Sequence, residues 1–275
     1  MKDLSISMQL PKSVDNAIGN LTDKPTMEVG TTIGDLWFLV FGNFSQKANK
    51  RRLNYQYGLK EYEHILKTKL DAIQKENLID PNTRIVTQVL EDSKCCAEEK
   101  EIREMFASLI ASASDKTKVD FVHPNFSNII KQMSSLDACT FKYVLQESRL
   151  IDTFSGESWL LNGVNFLEFF IKQDENKDEN KYTLKHRMVI LGRNNTVLNY
   201  VNADAIATLT ALGLLRLEYL NAMNNETVES FKEIIRESIS VADFEKIGEA
   251  NQGNINVTQV GQNFAIACGL KKQML

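Results

Sequence analysis

Residues 101–138 read EIREMFASLIASASDKTKVDFVHPNFSNIIKQMSSLDA and form the most clearly patterned stretch of the chain. The first half repeats apolar residues at helical spacing, which predicts one buried helix face: Ile102, Met105, Phe106, Leu109, Ile110 and Ala113. Small residues between them would let a second helix approach closely: Ala107, Ser108, Ala111 and Ser112. We therefore expect Phe106 to anchor a helical core.

The second half of the stretch predicts two further helices. His123-Pro124 would open the first of them, because a proline in a first turn loses no hydrogen bond. Its buried side would consist of Phe126, Ile129, Ile130 and Met133. Ser134 followed by Asp137 is a capping-type start for the next helix.

Upstream of this stretch the chain also reads as helix. Residues 46–77 predict one long helix, because apolar residues recur every three or four positions: Tyr55, Leu59, Tyr62, Leu66, Leu70 and Ile73. Asp80-Pro81 marks a break, after which Ile85, Val89 and Leu90 belong to another helix. A short helix is expected after Pro11, so residues 1–134 are predicted to form an α-helical domain.

Residues 33–52 join an aromatic segment to a basic one: Trp37, Phe38, Phe41 and Phe44, then Lys47, Lys50, Arg51 and Arg52. Such a segment can lie in a membrane interface. It can equally be a buried helix followed by a solvated turn. Its apolar part, residues 33–44, is shorter than the roughly 20 residues that span a bilayer. The sequence leaves both alternatives open.

Residues 135–275 mix helices and strands. We predict helices over 136–147, 202–212, 228–239 and 258–268, and strands over 182–191, 214–219 and 254–257. Residues 159–171 are ambiguous between helix and strand, and DENKDENK at 174–181 reads as a solvated loop. The order helix, helix ending at Gly213, strand, excursion and strand is typical of a winged helix. The predicted fold class is therefore mainly α with a smaller α+β part, an N-terminal helical domain (1–134) followed by a winged-helix-like domain (135–275).

The chain contains no recognisable catalytic motif. His64, His123 and His186 fall in unrelated elements, and a solvated helix face explains Glu101, Arg103 and Glu104. The four cysteines, Cys95, Cys96, Cys139 and Cys268, fit no paired zinc spacing. We therefore predict no catalytic, cofactor-binding or metal-binding residue, no cofactor, no small-molecule substrate and no enzymatic activity.

Composition and charge bound the class of protein. The 275 residues are 43% hydrophobic and 25% charged, with a net charge of −4, which is typical of a globular protein. The first residues have no apolar core of signal-peptide length, so we expect a cytoplasmic protein. The helix that would enter a DNA groove, residues 202–213, contains no Lys or Arg. Nucleic acid is therefore not an expected partner, although Lys185, Arg187 and Arg193 lie nearby in sequence.

Several separated motifs resemble the abortive-infection alpha (Abi-alpha) family of bacterial proteins. The matching segments are residues 101–112, 123–126 and 135–138, then 208–215 (TLTALGLL) and 257–268 (VTQVGQNFAIAC). The last segment keeps Thr258, Gly261, Phe264, Ala267 and Cys268. The resemblance spans roughly residues 60 to 270, and residues before 60 share only the family's general apolar character.

The resemblance implies a role in phage defence, in which an infected cell stops supporting the virus. We expect a non-enzymatic effector or sensor that works through a protein partner or self-association, at the inner face of the membrane if residues 33–52 bind lipid. The alternative is a winged-helix nucleic-acid-binding regulator. An enzyme with an unfamiliar site is the third hypothesis.

Overall fold

The computed structural model describes residues 27–41, 49–95, 98–148, 150–151, 160–161, 164–174, 182–191, 197–219 and 247–270. The predicted helix after Pro11, Arg193 and the predicted helix 228–239 lie outside these residues. Of the predicted loop 174–181 only Asp174 is described, and it belongs to a strand. The chain divides into two compact units, residues 1–135 with 263–275, and residues 136–262. The sequence-predicted domains, 1–134 and 135–275, differ from these units in placing residues 263–275 with the second part.

Five helices of the first unit are described: α1 (Met27–Phe41), α2 (Asn49–Asp71), α3 (Thr83–Ser93), α4 (Lys100–Ala113) and α5 (Phe126–Gln132). Helix α4 packs against α2, α3 and α5. Its residues from Met105 to Ala113 are all buried, including the small residues that were predicted to allow close approach. A helix that is apolar on most sides belongs in a core. Helix α4 is therefore the centre of this unit, and Phe106 is fully buried as predicted.

The ends of these helices follow local chemistry. Asn82 begins α3, because its side-chain Oδ1 accepts a hydrogen bond from the backbone N–H of Arg84 at 3.0 Å. Helix α5 begins at Phe126, two residues after Pro124, so Pro124 lies before the first turn and not within it. There the Nδ1 of His123 accepts a hydrogen bond from the backbone N–H of Asn125 at 3.1 Å.

The second unit contains α6 (Ser135–Glu147), apart from its first residue, and α7 (Ala203–Ala211). Helix α6 begins directly after Ser134, as the capping pattern predicted. Helix α7 ends at a glycine in the left-handed region, Gly213 with φ 74°. The last helix, α8 (Gln259–Ala267), begins in the second unit and continues in the first.

The strands of the second unit form two antiparallel sheets. Strands β1 (Leu150–Ile151) and β2 (Leu160–Leu161) pair with each other. The larger sheet has the order β5-β4-β3-β7-β6. Its strands are β3 (Val164–Asp174), β4 (Tyr182–Leu191), β5 (Val197–Val201), β6 (Leu215–Tyr219) and β7 (Ile247–Val257). The ambiguous residues 159–171 therefore contribute strands, and the strand predicted over 182–191 is confirmed.

The described residues are mainly helical, which agrees with the prediction of a mainly α protein. In the larger sheet, buried residues alternate along the strands and so share one face: Val164, Phe166, Glu168, Met188, Leu215, Gly253, Ile255 and Val257. Helix α7 packs against β4 and β6 through a buried side that includes Ile206 and Leu209.

Candidate functional site

Strand β6 forms one edge of the larger sheet. Among the described strands it pairs only with β7, in a register that runs from Leu215↔Val257 to Tyr219↔Gly253. On the face that carries Leu215, Leu217 and Tyr219, exposure rises along the strand: Leu215 is 2% exposed, Leu217 is half-buried and Tyr219 is 51% exposed. An edge strand presents backbone N–H and C=O groups to whatever lies beside it. The outer side of β6 is therefore a surface on which another strand could add.

Tyr219 is exposed but held in one orientation. Its ring meets the ring of the fully buried Phe166 edge to face, with the centroids 5.6 Å apart and an interplanar angle of 80°. Gly253 lies between these two residues in the register. A Cβ at Gly253 would lie 2.7 Å from Cε1 of Phe166, so only glycine leaves room for the two rings to meet.

A buried carboxylate holds the other end of the tyrosine. Glu168 is only 6% exposed, and its carboxylate accepts hydrogen bonds from the Tyr219 hydroxyl and from Nδ2 of Asn251, the latter at 3.4 Å. Burial raises the pKa of Tyr219, and the negative charge of Glu168 raises it further. The hydroxyl therefore stays protonated and remains a donor. We name Glu168, Tyr219 and Asn251 the tyrosine clamp.

The charged residues of β6 lie on the opposite face of the strand. Arg216 Nη2 and Glu218 Oε1 form an ion pair at 2.5 Å, with 68% and 47% of their side chains exposed. Ion pairs this exposed contribute about 0–1 kcal/mol to stability. The edge thus carries one positive and one negative charge that are available to a partner at little cost.

The sequence had assigned no residue to this site. Alternation in Leu-Arg-Leu-Glu-Tyr predicted the strand, but no local pattern says that the strand is an edge. Glu168 and Asn251 face each other across β3 and β7, far apart in sequence. Only the strand order brings the clamp together.

The histidines singled out in the sequence do not assemble into a centre among the described side chains. His64 and His123 are exposed, and the His123 ring lies 5.8 Å from that of Phe126. His186 is on β4, and its side chain lies outside the described residues. Within the described part of the chain no three His, Cys, Asp or Glu side chains are grouped so that they could hold a metal ion.

The burial of Arg103 contradicts one expectation about helix α4. It is buried, 7% exposed, whereas Glu101 and Glu104 beside it are half-buried. The prediction of a solvated face is therefore wrong for Arg103. Helix α4 is covered on more sides than its apolar pattern indicated, so a long polar side chain is enclosed as well.

The described cysteines occupy different environments. Cys95 and Cys139 are exposed, whereas Cys268 is buried and burial raises its pKa. A thiol with a raised pKa is a poor nucleophile, because the thiolate is the reactive form. Cys96 lies outside the described residues.

The aromatic segment is packed at its centre. Trp37 and Phe41 are each 7% exposed, and their ring centroids lie 5.0 Å and 6.5 Å from that of the buried Tyr62 on α2. Phe38 is half-buried, and Leu39 is 66% exposed. Phe44 and Lys47 lie outside the described residues. None of the described helices is both long enough and apolar enough to cross a membrane.

The exposed side of α7 carries no cation. Asp204, Ala207 and Ala211 are exposed, and Asn202 is committed to the helix start, where its Oδ1 accepts from the backbone N–H of Asp204 at 2.8 Å. Lys185 and Arg187 are on β4, with side chains outside the described residues.

These observations define a mainly helical protein with antiparallel sheets. The aromatic residues of its most clearly patterned segments lie in packed cores. Phe106 is at the centre of α4, and Phe126 meets Phe264 of α8 at a centroid distance of 5.3 Å. The chain belongs to the abortive infection alpha family, whose profile matches residues 54–268 and so confirms the resemblance in the sequence. No curated protein and no solved structure matches the chain.

Proposed function

We propose that this protein takes part in abortive infection as a phage-defence effector or sensor, and that it acts through protein contacts without catalysing a reaction. Family membership supports the role. The observation that supports a mechanism without catalysis is the burial of residues within the family's motifs. Phe106, Phe126 and Phe264 are buried, so the family's motifs specify a fold. The exposed features of the described residues include a strand edge and a held tyrosine, which suit protein contacts.

The second unit supplies the interaction module in this proposal. Helix α7, strand β6 and strand β7 follow one another along the chain in the order that a winged helix has. The sheet also contains β3, β4 and β5, which a simple winged helix lacks, so we propose an elaborated, winged-helix-like module. The oxygen of the Thr258 hydroxyl accepts from the backbone N–H of Gly261 at 2.9 Å, and this hydroxyl donates to the carbonyl of Gly213 at 2.6 Å. This joins the end of α7 to the start of α8.

A nucleic-acid regulator is the alternative, and the surface of α7 argues against it. Asp204 and two alanines cannot neutralise phosphates, which is the main source of affinity for DNA. Duplex binding at physiological salt should therefore be weak and insensitive to sequence. A gel-shift titration that showed nanomolar, sequence-selective binding would replace our proposal with this alternative.

We place the protein in the cytoplasm, with α1 as part of the folded core. Contact with the inner face of the membrane would require Trp37 and Phe41 to separate from Tyr62. Flotation with anionic and neutral vesicles tests this directly. Binding that needs anionic lipid and is lost in Trp37→Ala/Phe41→Ala would establish the membrane site, and its absence leaves α1 as core.

The role itself is tested by phage challenge of cells with and without the gene. At low phage dose the culture that carries the gene should survive, and at high dose it should stop growing, because infected cells are lost to protect the others. Survival of infected cells at high dose would contradict abortive infection.

The non-catalytic mechanism is tested in the same assay. The variants His123→Ala, Cys95→Ser and Cys139→Ser remove exposed side chains that could act as a base or a nucleophile. Cells that carry them should remain protected against phage. Loss of protection in a variant with an unchanged melting curve would point to a reaction at that residue.

A further inference from the structure

We infer that the edge of β6 binds the same edge of a second copy of this chain, antiparallel and centred on Leu217. The two larger sheets would then form one continuous sheet. The inference names the partner for the contacts proposed above. It rests on the sequence and exposure of β6, and not on the role in phage defence.

The strand is self-complementary in this register. Pairing Leu217 with Leu217 of the second copy sets Arg216 opposite Glu218 of the second copy, and Glu218 opposite Arg216 of the second copy. Opposite charges that face each other across antiparallel strands stabilise the pairing, and like charges destabilise it. On the other face, Leu215 lies opposite Tyr219 of the second copy. A two-fold symmetric interface requires this kind of self-complementarity.

Neighbouring registers are disfavoured by the same residues. An antiparallel pairing centred on Arg216 would place the two Arg216 side chains opposite each other, and one centred on Glu218 would do the same for the two carboxylates. A parallel, in-register pairing would oppose like charges at both positions. The charges therefore select the register centred on Leu217.

The exposure of Tyr219 and the fixed orientation of its ring both favour the binding of a second strand at this edge. Tyr219 is 51% exposed, although Phe166 and Glu168 hold it in one orientation. A side chain that is already ordered loses little conformational entropy when it binds. The ion pair between Arg216 and Glu218 within each copy would be exchanged for two such pairs across the interface.

Sedimentation velocity over a dilution series of the purified full chain tests the inference. The wild-type chain should show a monomer–dimer equilibrium. Arg216→Glu, or Glu218→Arg, places like charges at both cross-strand pairs and should raise the dissociation constant roughly tenfold or more. The double variant Arg216→Glu/Glu218→Arg restores opposite charges and should associate like the wild type.

Mixing the two single variants gives the sharpest result. One chain then carries two glutamates and the other two arginines, so a heterodimer places opposite charges at both pairs. The mixture should associate at least as tightly as the wild type, although each variant alone is weakened. A local folding defect cannot produce this rescue, and a mixture that stays monomeric would overturn the proposed register.

A matched control separates this surface from general charge effects. Lys94→Glu removes another exposed ion pair, between Lys94 and Glu91 at 2.6 Å in the first unit, and should not change association. The inference is wrong if the wild type is monomeric at all concentrations, if the charge reversals leave the dimer unchanged, or if Lys94→Glu weakens it equally. Phage protection by a strictly monomeric protein would refute the dimer and leave the proposed function standing.

Discussion

The contact between Phe126 and Phe264 gives the most direct test of the first unit. These rings come from distant parts of the chain, and their centroids lie 5.3 Å apart at an interplanar angle of 84°. Both side chains are buried. Replacing either residue with alanine should lower the free energy of unfolding by about 3–5 kcal/mol. That is a large part of the total of about 5–15 kcal/mol for a native protein.

Leucine substitutions keep the variants folded for a double-mutant cycle. Phe126→Leu and Phe264→Leu should each cost roughly 1–2 kcal/mol, because leucine keeps part of the buried volume. An edge-to-face pair contributes about 0.5–1.5 kcal/mol beyond the area that it buries. The double variant should therefore be less destabilised than the sum of the single variants by about that amount.

Urea unfolding with constant m-values measures the cycle. Phe41→Leu combined with Phe264→Leu is the control, because the Phe41 ring contacts Trp37 and Tyr62. This pair should add within about 0.5 kcal/mol. Additive behaviour of the Phe126 and Phe264 pair would refute the contact, and with it the packing of the last helix in the first unit.

Three further predictions concern single features. Phe106→Ala should lower the free energy of unfolding by about 3–5 kcal/mol, because Phe106 is fully buried; an unchanged melting curve would remove it from the core. Gly261→Ala should cost about 1–3 kcal/mol, because a Cβ there meets the carbonyl oxygen of Leu214, and a thermal melt equal to that of the wild type would contradict this close approach. Burial raises the pKa of Tyr55 from 10.0 to about 12 and raises that of Tyr62 as well. The folded state therefore favours the neutral phenols, so their contribution to stability is complete below pH 10 and is lost as the pH rises toward 12. Unfolding measured against pH should show this loss, and Tyr55→Phe/Tyr62→Phe should reduce it.

Local patterns in the sequence were sufficient for several of the individual elements, although residues 159–171 stayed ambiguous and β5 was not predicted. The apolar spacing around Phe106 predicted α4, and the glycine after Leu212 predicted the end of α7. The strand from Tyr182 to Leu191 was predicted with its observed bounds. These features depend on the period of side chains along one segment and on the preferences of single residues, which one sequence contains.

Tertiary structure decided which elements meet and which of the described strands lies at an edge of the sheet. Arg103 is buried because neighbouring elements cover α4 on more sides than its pattern indicates, and Phe264 joins the first unit through its contact with Phe126. The edge position of β6 depends on the strand order, and so does the meeting of Glu168 with Tyr219. Periodicity shows that a helix or strand has a buried and an exposed face. It does not show which distant residues pack on the buried face. By itself the sequence determined several elements, their main buried faces and the family, whereas the strand edge and the tyrosine clamp exist only because the folded chain brings distant residues together.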